Sequence, residues 1–352
     1  MNGRERVRAV LNHRIPDRVP AFETVIDGRM VQYVLGIEGK NSWQLGLEQN
    51  IELHRKIGLD AVYLPFVWKP RDQMTGRMTP VDRVEKPYER LESRLEAMKG
   101  EVKALHEAGL AAIAYTHGAF DVTYESLGYE HFMTLLYDEP GYIREAMDMF
   151  EEFSARVLEG FCRTGVDAVL IGDDVCYKTG LMISPKMFFP LWRPRTARLA
   201  AIVKEHGIPL EYHTDGALEP VMEALIEMGF DCVNPVDTGA NDIFSLKRRY
   251  GGRIALRGNI DLSGPLALGT PEQTFLEARE KLLGLKAGGN YVCSSSHSIS
   301  DAVVPENYFA LMRALEAFGA YGKPCEGGEK PNGGENLENG GQNPGAQAAQ
   351  GL

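Results

Sequence analysis

The stretch Pro209-Leu210-Glu211-Tyr212-His213-Thr214-Asp215-Gly216 opens apolar and stops at a glycine. That is the pattern of a short buried strand and its terminator. Side chains on a strand alternate between faces, so Glu211, His213 and Asp215 share one face. Two carboxylates and an imidazole at the end of a strand make a poor core, because buried charge is costly unless it is paired. They are better material for a site. The plain alternative is that a carboxylate there caps the next helix or pairs with a neighbour.

The same beat recurs on both sides of this stretch. Short apolar runs fall at residues 19–23, 59–65, 111–118, 167–174, 210–215, 230–235, 253–259 and 290–297. Helical periodicity fills the intervals, after an opening amphipathic helix over 4–12. Ser184-Pro185 starts one of these helices as an N-cap followed by a first-turn proline, and Thr270 caps another. Gly58, Gly165, Gly207 and Gly229 close helices just before the next strand. Strict strand–helix alternation calls for a parallel sheet, and eight units close most naturally into a (β/α)8 TIM barrel. An open doubly wound sheet would show a glycine-rich phosphate loop after its first strand, and none is present. We therefore expect one α/β domain over residues 1–325. Residues 326–352 are Gly, Asn, Gln, Glu and Pro with almost nothing apolar, and are expected to form a disordered tail.

Composition narrows the partners. The 352 residues carry 38 basic and 49 acidic side chains, for a net charge of −11. Nucleic acid and anionic membranes need basic patches, so neither is expected as a partner. A small-molecule substrate fits better. Cys162, Cys176, Cys232, Cys293 and Cys325 are odd in number and form no C-x-x-C pair, so no disulfide framework or zinc ribbon is implied. No apolar run approaches the ~20 residues that span a bilayer, and the N-terminus lacks an apolar signal core. A cytoplasmic enzyme is the expectation.

Active sites of such barrels lie at the C-terminal ends of the strands. The polar residues found there are Glu23, Tyr63, His117, Asp173 with Asp174, His213 with Asp215, Asn234 with Asp237, Arg257 with Asn259 and Asp261, and Ser295 with His297. Two imidazoles and a carboxylate from separate strands can hold a divalent metal with open positions. A metal-free reading is equally open at this point. Carboxylates at a barrel mouth can hold N–H donors, with histidine moving the proton.

The motifs Arg4-Glu5-Arg6-Val7, Arg14-Ile15-Pro16-Asp17-Arg18-Val19-Pro20, Gly172-Asp173-Asp174, Leu181-Met182-Ile183-Ser184-Pro185, His213-Thr214-Asp215-Gly216, Gly258-Asn259-Ile260-Asp261 and Ser296-His297-Ser298-Ile299 with Pro305-Glu306-Asn307 occur in this order. Together they resemble the uroporphyrinogen decarboxylase superfamily, over about residues 4–318. The resemblance implies a (β/α)8 barrel and one of two chemistries. Decarboxylases of the superfamily act on a tetrapyrrole without a cofactor and use an R-Q-A-G-R-Y stretch after the first strand. Here that stretch reads Phe22-Glu23-Thr24-Val25-Ile26-Asp27-Gly28-Arg29, with a single arginine. Methyltransferases of the superfamily move methyl groups to or from a corrinoid protein, with zinc on an H-x-C pair and a later Cys. Those positions match His213, Asp215 and His297.

The resemblance thus implies metal-assisted methyl transfer, with zinc or another divalent metal on His213, Asp215 and His297 and Glu211 as a further ligand. A corrinoid carried by a partner protein would dock at the strand C-termini. Asp173, Asp174 and His117 are expected in catalysis, and Glu23, Tyr63, Arg257, Asn259 and Ser295 in substrate binding. A homodimer is a further expectation. The alternative is tetrapyrrole decarboxylation, with Arg29, Arg71 and Arg257 meeting substrate carboxylates.

Overall fold

Seven of the eight apolar runs become strands of one parallel sheet, in which spatial order follows sequence order. They are β1 (Ala61–Pro65), β2 (Ala111–His117), β3 (Ala168–Gly172), β4 (Leu210–His213), β5 (Cys232–Asn234), β6 (Ala255–Ile260) and β7 (Tyr291–Ser295). The computed structural model describes residues 1–74 and 79–322; the tail expected at 326–352 lies outside them. Residues 1–321 fall in one compact unit.

The eighth position of the barrel is filled differently from expectation. Residues 19–23 make a single parallel bridge, Ala21 to Cys293, rather than a regular strand. Pro16 and Pro20 have no N–H to give to a ladder. The segment still closes the sheet. Cys293 N–H donates to Pro20 O at 2.9 Å, and Asp60 N–H donates to Ala21 O at 2.8 Å. One short segment thereby joins β7 to the residue that enters β1. The Asp60 carboxylate fixes it further, accepting from Ala21 N at 2.9 Å, Arg18 at 3.0 Å and Arg6 at 3.1 Å.

Strand alternation sorts the core into two layers. Ala61 and Tyr63 of β1, with Ala111, Ile113 and Tyr115 of β2, point into the barrel. Val62, Leu64, Ala112 and Ala114 point outward against the helices. The barrel floor is sealed by the helix Gly3–Leu11, whose Asn2–Glu5 capping box fixes its start and whose Val7, Val10 and Leu11 enter the inner cluster. Between β3 and β4 the chain adds a small antiparallel hairpin, Cys176–Tyr177 with Gly180–Leu181, at the mouth. Among the described residues no helix is long and apolar enough to cross a membrane.

Candidate active site at the barrel mouth

The strand register places His117, Gly172, His213 and Asn234 side by side in one row at the rim. A cavity of about 460 Å³ opens above this row. Trp43, Tyr115, His117, Asp121, Glu125, Asp174, His213 and His297 are among its lining residues.

His213, Asp215 and His297 converge there. His213 Nε2 lies 3.8 Å from Asp215 Oδ1, and His297 Nε2 lies 3.5 Å from Asp215 Oδ2. One ligand atom from each of the three falls within 4.8 Å of the others. Ligands held at ~2.1 Å from one tetrahedral ion sit about 3.4 Å apart, so this triad needs only a small contraction to grip one. The His213 ring is already oriented. Asn234 donates its amide N–H to Tyr212 O at 3.2 Å, so its Oδ1 accepts from His213 Nδ1 at 2.8 Å. Nδ1 therefore carries the hydrogen and Nε2 faces the cavity, which is the second-shell arrangement that suits a metal-ligating histidine. Asp174 Oδ1 accepts from Asp215 N at 2.9 Å and so holds the loop that carries Asp215.

Glu211 is not part of this triad. It shares a strand face with His213, as expected, but two residues along a strand are roughly 6.6 Å deeper in the barrel. There it accepts from Arg257 Nε and from the Tyr63 hydroxyl, both at 2.6 Å. Arg257 also donates to Thr24 Oγ1 at 2.9 Å. Glu23 is likewise occupied. It accepts from Ser295 N at 2.7 Å, and from the Ser295 and Tyr308 hydroxyls at 2.9 Å each. Burial, which dominates, pushes Glu23 up to about 7 against these donors and Arg257. Asn259 is buried, and its carbonyl accepts from Lys281 Nζ. Thus Tyr63 and Arg257, expected to touch substrate, join Glu211 inside the barrel, whereas Glu23 and Ser295 meet Tyr308 of the helix Pro305–Phe318 on the outer face of the sheet; neither these four nor Asn259 lines the cavity. Glu23, Glu211 and Arg257 are buried and find their hydrogen-bond partners within the protein.

Asp173 is also corrected. Its Oδ1 accepts from the N–H groups of Phe120 at 3.0 Å and Asp121 at 2.7 Å, capping the helix Ala119–Leu127. It is 1% exposed and absent from the cavity lining. A Cβ at Gly118 would lie 2.4 Å from the Asp173 carboxyl carbon, so that glycine makes room for the cap.

His117 does reach the cavity, with two partners missed in the sequence. Its Nδ1 is 2.6 Å from Asp121 Oδ2, and its Nε2 is 3.1 Å from the Tyr115 hydroxyl. Burial pushes His117 down to about 3, and burial followed by Asp174 raises Asp121. The signal for Asp121 was available: an acid four residues after a strand-end histidine, flanked by Phe120 and Val122 where a surface cap would be polar. Lys69 and Glu125 pair at the outer edge of the same cavity.

Fold and site together define an α/β-barrel with its ionisable residues gathered at the strand C-termini. Residues 60–318 match the family "Uroporphyrinogen decarboxylase (URO-D)", and the chain belongs to it. The uroporphyrinogen decarboxylase of Methylococcus capsulatus is 28% identical over 186 residues; the match covers 52% of this chain and 51% of that protein, so the chain spans about half its length. That of Coxiella burnetii is 26% identical over 275 residues, covering 74% of this chain and 73% of the relative. Among solved structures, a methyltransferase from Methanosarcina mazei superposes with a TM-score of 0.74 at 21% identity, covering 90% of this chain and 99% of that one. At that identity the likeness is one of fold.

Proposed function

We propose that this enzyme of the URO-D superfamily transfers a methyl group between a small molecule and a corrinoid, with a divalent metal on His213, Asp215 and His297. The observation that carries this reading is the convergence of those three side chains on one point, with Asn234 turning the His213 lone pair toward it. A metal bound there would supply Lewis acidity toward a methyl donor or acceptor. Two imidazoles and a carboxylate form a harder donor set than thiolates and suit an oxygen-bearing substrate atom. Asp174 would keep Asp215 in place through its backbone. Trp43 and Tyr115, whose rings lie 5.4 Å apart, would wall the substrate. The corrinoid would arrive on a partner protein at the rim, where the cavity opens.

The cavity's size and charge support this over the decarboxylase reading. About 460 Å³ is in the range of a small-ligand pocket. Its lining sets Glu125 and Asp174 against Lys69, which leaves no excess of positive charge to receive a poly-carboxylate. Arg257 is buried and held by Glu211, and none of Arg29, Arg71 and Arg257 lines the cavity. The decarboxylase names of the relatives keep the second reading in play. Elemental analysis tests the first. About one equivalent of zinc or another divalent ion per chain, lost in His213→Ala, is expected. Absence of metal in both, with conversion of uroporphyrinogen to a product of fewer carboxylates, would establish the second reading instead.

A further inference from the structure

We propose that Tyr115, His117 and Asp121 form a proton relay that delivers a proton into the mouth cavity, to the atom that a transferred methyl group leaves. This rests on the methyl-transfer reading, taken with a donor that carries its methyl on oxygen.

The three side chains form one unbroken hydrogen-bonded line. Asp121 Oδ2 meets His117 Nδ1 at 2.6 Å, and His117 Nε2 meets the Tyr115 oxygen at 3.1 Å. All three line the cavity, yet they are only 2%, 8% and 8% exposed for Asp121, His117 and Tyr115. The line is built by the fold. His117 ends β2, Asp121 stands in the first turn of the next helix, and Tyr115 is two residues back on the same strand face. The Tyr115 ring occupies the space of a missing side chain: a Cβ on Gly172 would lie 2.8 Å from Tyr115 Cε2 and 2.9 Å from its hydroxyl oxygen.

The direction of the relay follows from where the proton rests. Asp121 is desolvated and faces Asp174, Glu125 and Asp173, with Lys69 as the opposing charge. These surroundings raise the Asp121 carboxyl, and burial with Lys69 lowers the His117 imidazole, which favours a protonated Asp121 beside a neutral His117. Asp121 then donates to Nδ1, and His117 donates from Nε2 to the Tyr115 oxygen. The Tyr115 hydrogen is the one left over, and the cavity is the open space beside it.

A proton supplied here matters only if the leaving atom needs one. A thiolate leaves without protonation, since thiols ionise near ~8.5; a phenolate, near ~10, and an alkoxide, higher still, gain from it. In the step the C–O bond of the ether breaks and its electron pair stays on oxygen. The methyl carbon would pass to a reduced corrinoid, which would supply the electron pair of the new bond. Oxygen takes the Tyr115 proton, Tyr115 takes one from His117, and His117 takes one from Asp121, which ends as a carboxylate. The product is an alcohol or phenol.

The test compares methoxybenzene with 4-methoxybenzonitrile as donors and free cob(I)alamin as acceptor. The nitrile makes the departing phenolate a weaker base that needs less help. Tyr115→Phe is expected to lower kcat on methoxybenzene by about 10²–10⁴-fold, the range of general acid catalysis, with KM little changed. The loss on 4-methoxybenzonitrile should be at least tenfold smaller. Equal losses on both donors, or no loss, would overturn the relay while leaving methyl transfer intact. If the wild type transfers no methyl from either donor, the oxygen-bound donor is overturned while metal content still decides the methyl-transfer reading, and ¹⁵N NMR of labelled histidine decides the relay. His117, assigned by its absence in His117→Gln, should carry its proton on Nε2 at neutral pH. A proton on Nδ1 alone, or an imidazolium, would overturn the relay whatever the activity.

Discussion

A single amide decides which nitrogen of His213 faces the cavity. Asn234 can do this because its own N–H groups are committed to the Tyr212 carbonyl, leaving only an acceptor for the imidazole. Asn234→Ala removes that constraint without touching a ligand. With the proposed metal site occupied by zinc, it would weaken binding by about 10–100-fold, as loss of an outer-shell partner does, with His213→Ala costing more. Competition with a chelator measures this; unchanged affinity in Asn234→Ala would mean the ring is held by other contacts. Glu23 offers a separate residue-scale prediction. Burial raises it to about 7 in the folded chain, whereas an unfolded glutamate titrates near ~4.3. Between those values the folded state holds a proton that the unfolded state has released. The group's contribution is therefore full below that window and is lost as pH rises through it. The loss is at most about 4 kcal/mol, from the span of the shift. Buried His54, lowered to about 4, works in the opposite sense, so the net curve is not diagnostic. The difference between wild type and Glu23→Gln is. Urea unfolding at pH 5 and pH 8 should show the wild type losing stability relative to the variant as pH rises. A difference that does not change with pH would place Glu23 near its ordinary range.

At the scale of elements, the strands were legible because each is a short apolar run bounded by glycine or a polar pair, and a parallel barrel strand is apolar on both faces. The opening stretch kept its face but not its depth: His213 is at the rim, while Glu211 is one inward-facing layer below, beside Arg257. Periodicity reports direction and says nothing of height along the barrel axis. Asp173 misled for a different reason. Its partners are backbone amides more than 50 residues earlier in the chain, and no local pattern announces a cap supplied from another strand. The His213–Asp215–His297 grouping was visible because His213 ends β4 and Asp215 and His297 lie two residues past the ends of β4 and β7, where the topology forces convergence. What the sequence could not display is the space left by side chains that are absent. Gly172 sits in the rim row between His117 and His213, and the Tyr115 ring lies over it. Gly172→Ala should force that ring aside at a cost of about 1–3 kcal/mol, the usual penalty for overpacking. It should also break the Tyr115–His117 contact. Urea denaturation and the tyrosine near-ultraviolet circular dichroism read the two effects. An alanine accommodated at full stability with an unchanged spectrum would show that the ring has room to spare.

At the scale of the whole molecule, the barrel is tied across its middle by charge. Arg257 of β6 meets Glu211 of β4, which accepts from Tyr63 of β1, while Arg257 reaches Thr24 and the Phe22 carbonyl on the closing segment. Four parts of the sheet far apart in sequence thus share one ionic cluster, with the Arg257 and Glu211 side chains 1% and 0% exposed. A buried pair of this kind is weak evidence for stability, since desolvation offsets most of the attraction. Breaking it is another matter, because the survivor is left charged in an apolar barrel. Arg257→Met should therefore cost about 3–5 kcal/mol, and Glu211→Leu a similar amount. The double variant Glu211→Leu/Arg257→Met removes both charges and fills the space with apolar volume. It should recover much of either loss, leaving Tyr63 and Thr24 as the groups still short of a partner. Urea unfolding of the four proteins completes a double-mutant cycle. A positive coupling of several kcal/mol would identify the cluster as the feature that fixes how the strands meet the closing segment. Additive losses would mean that the two charges act independently, and that closure rests on the Ala21 bridge and on Asp60 instead.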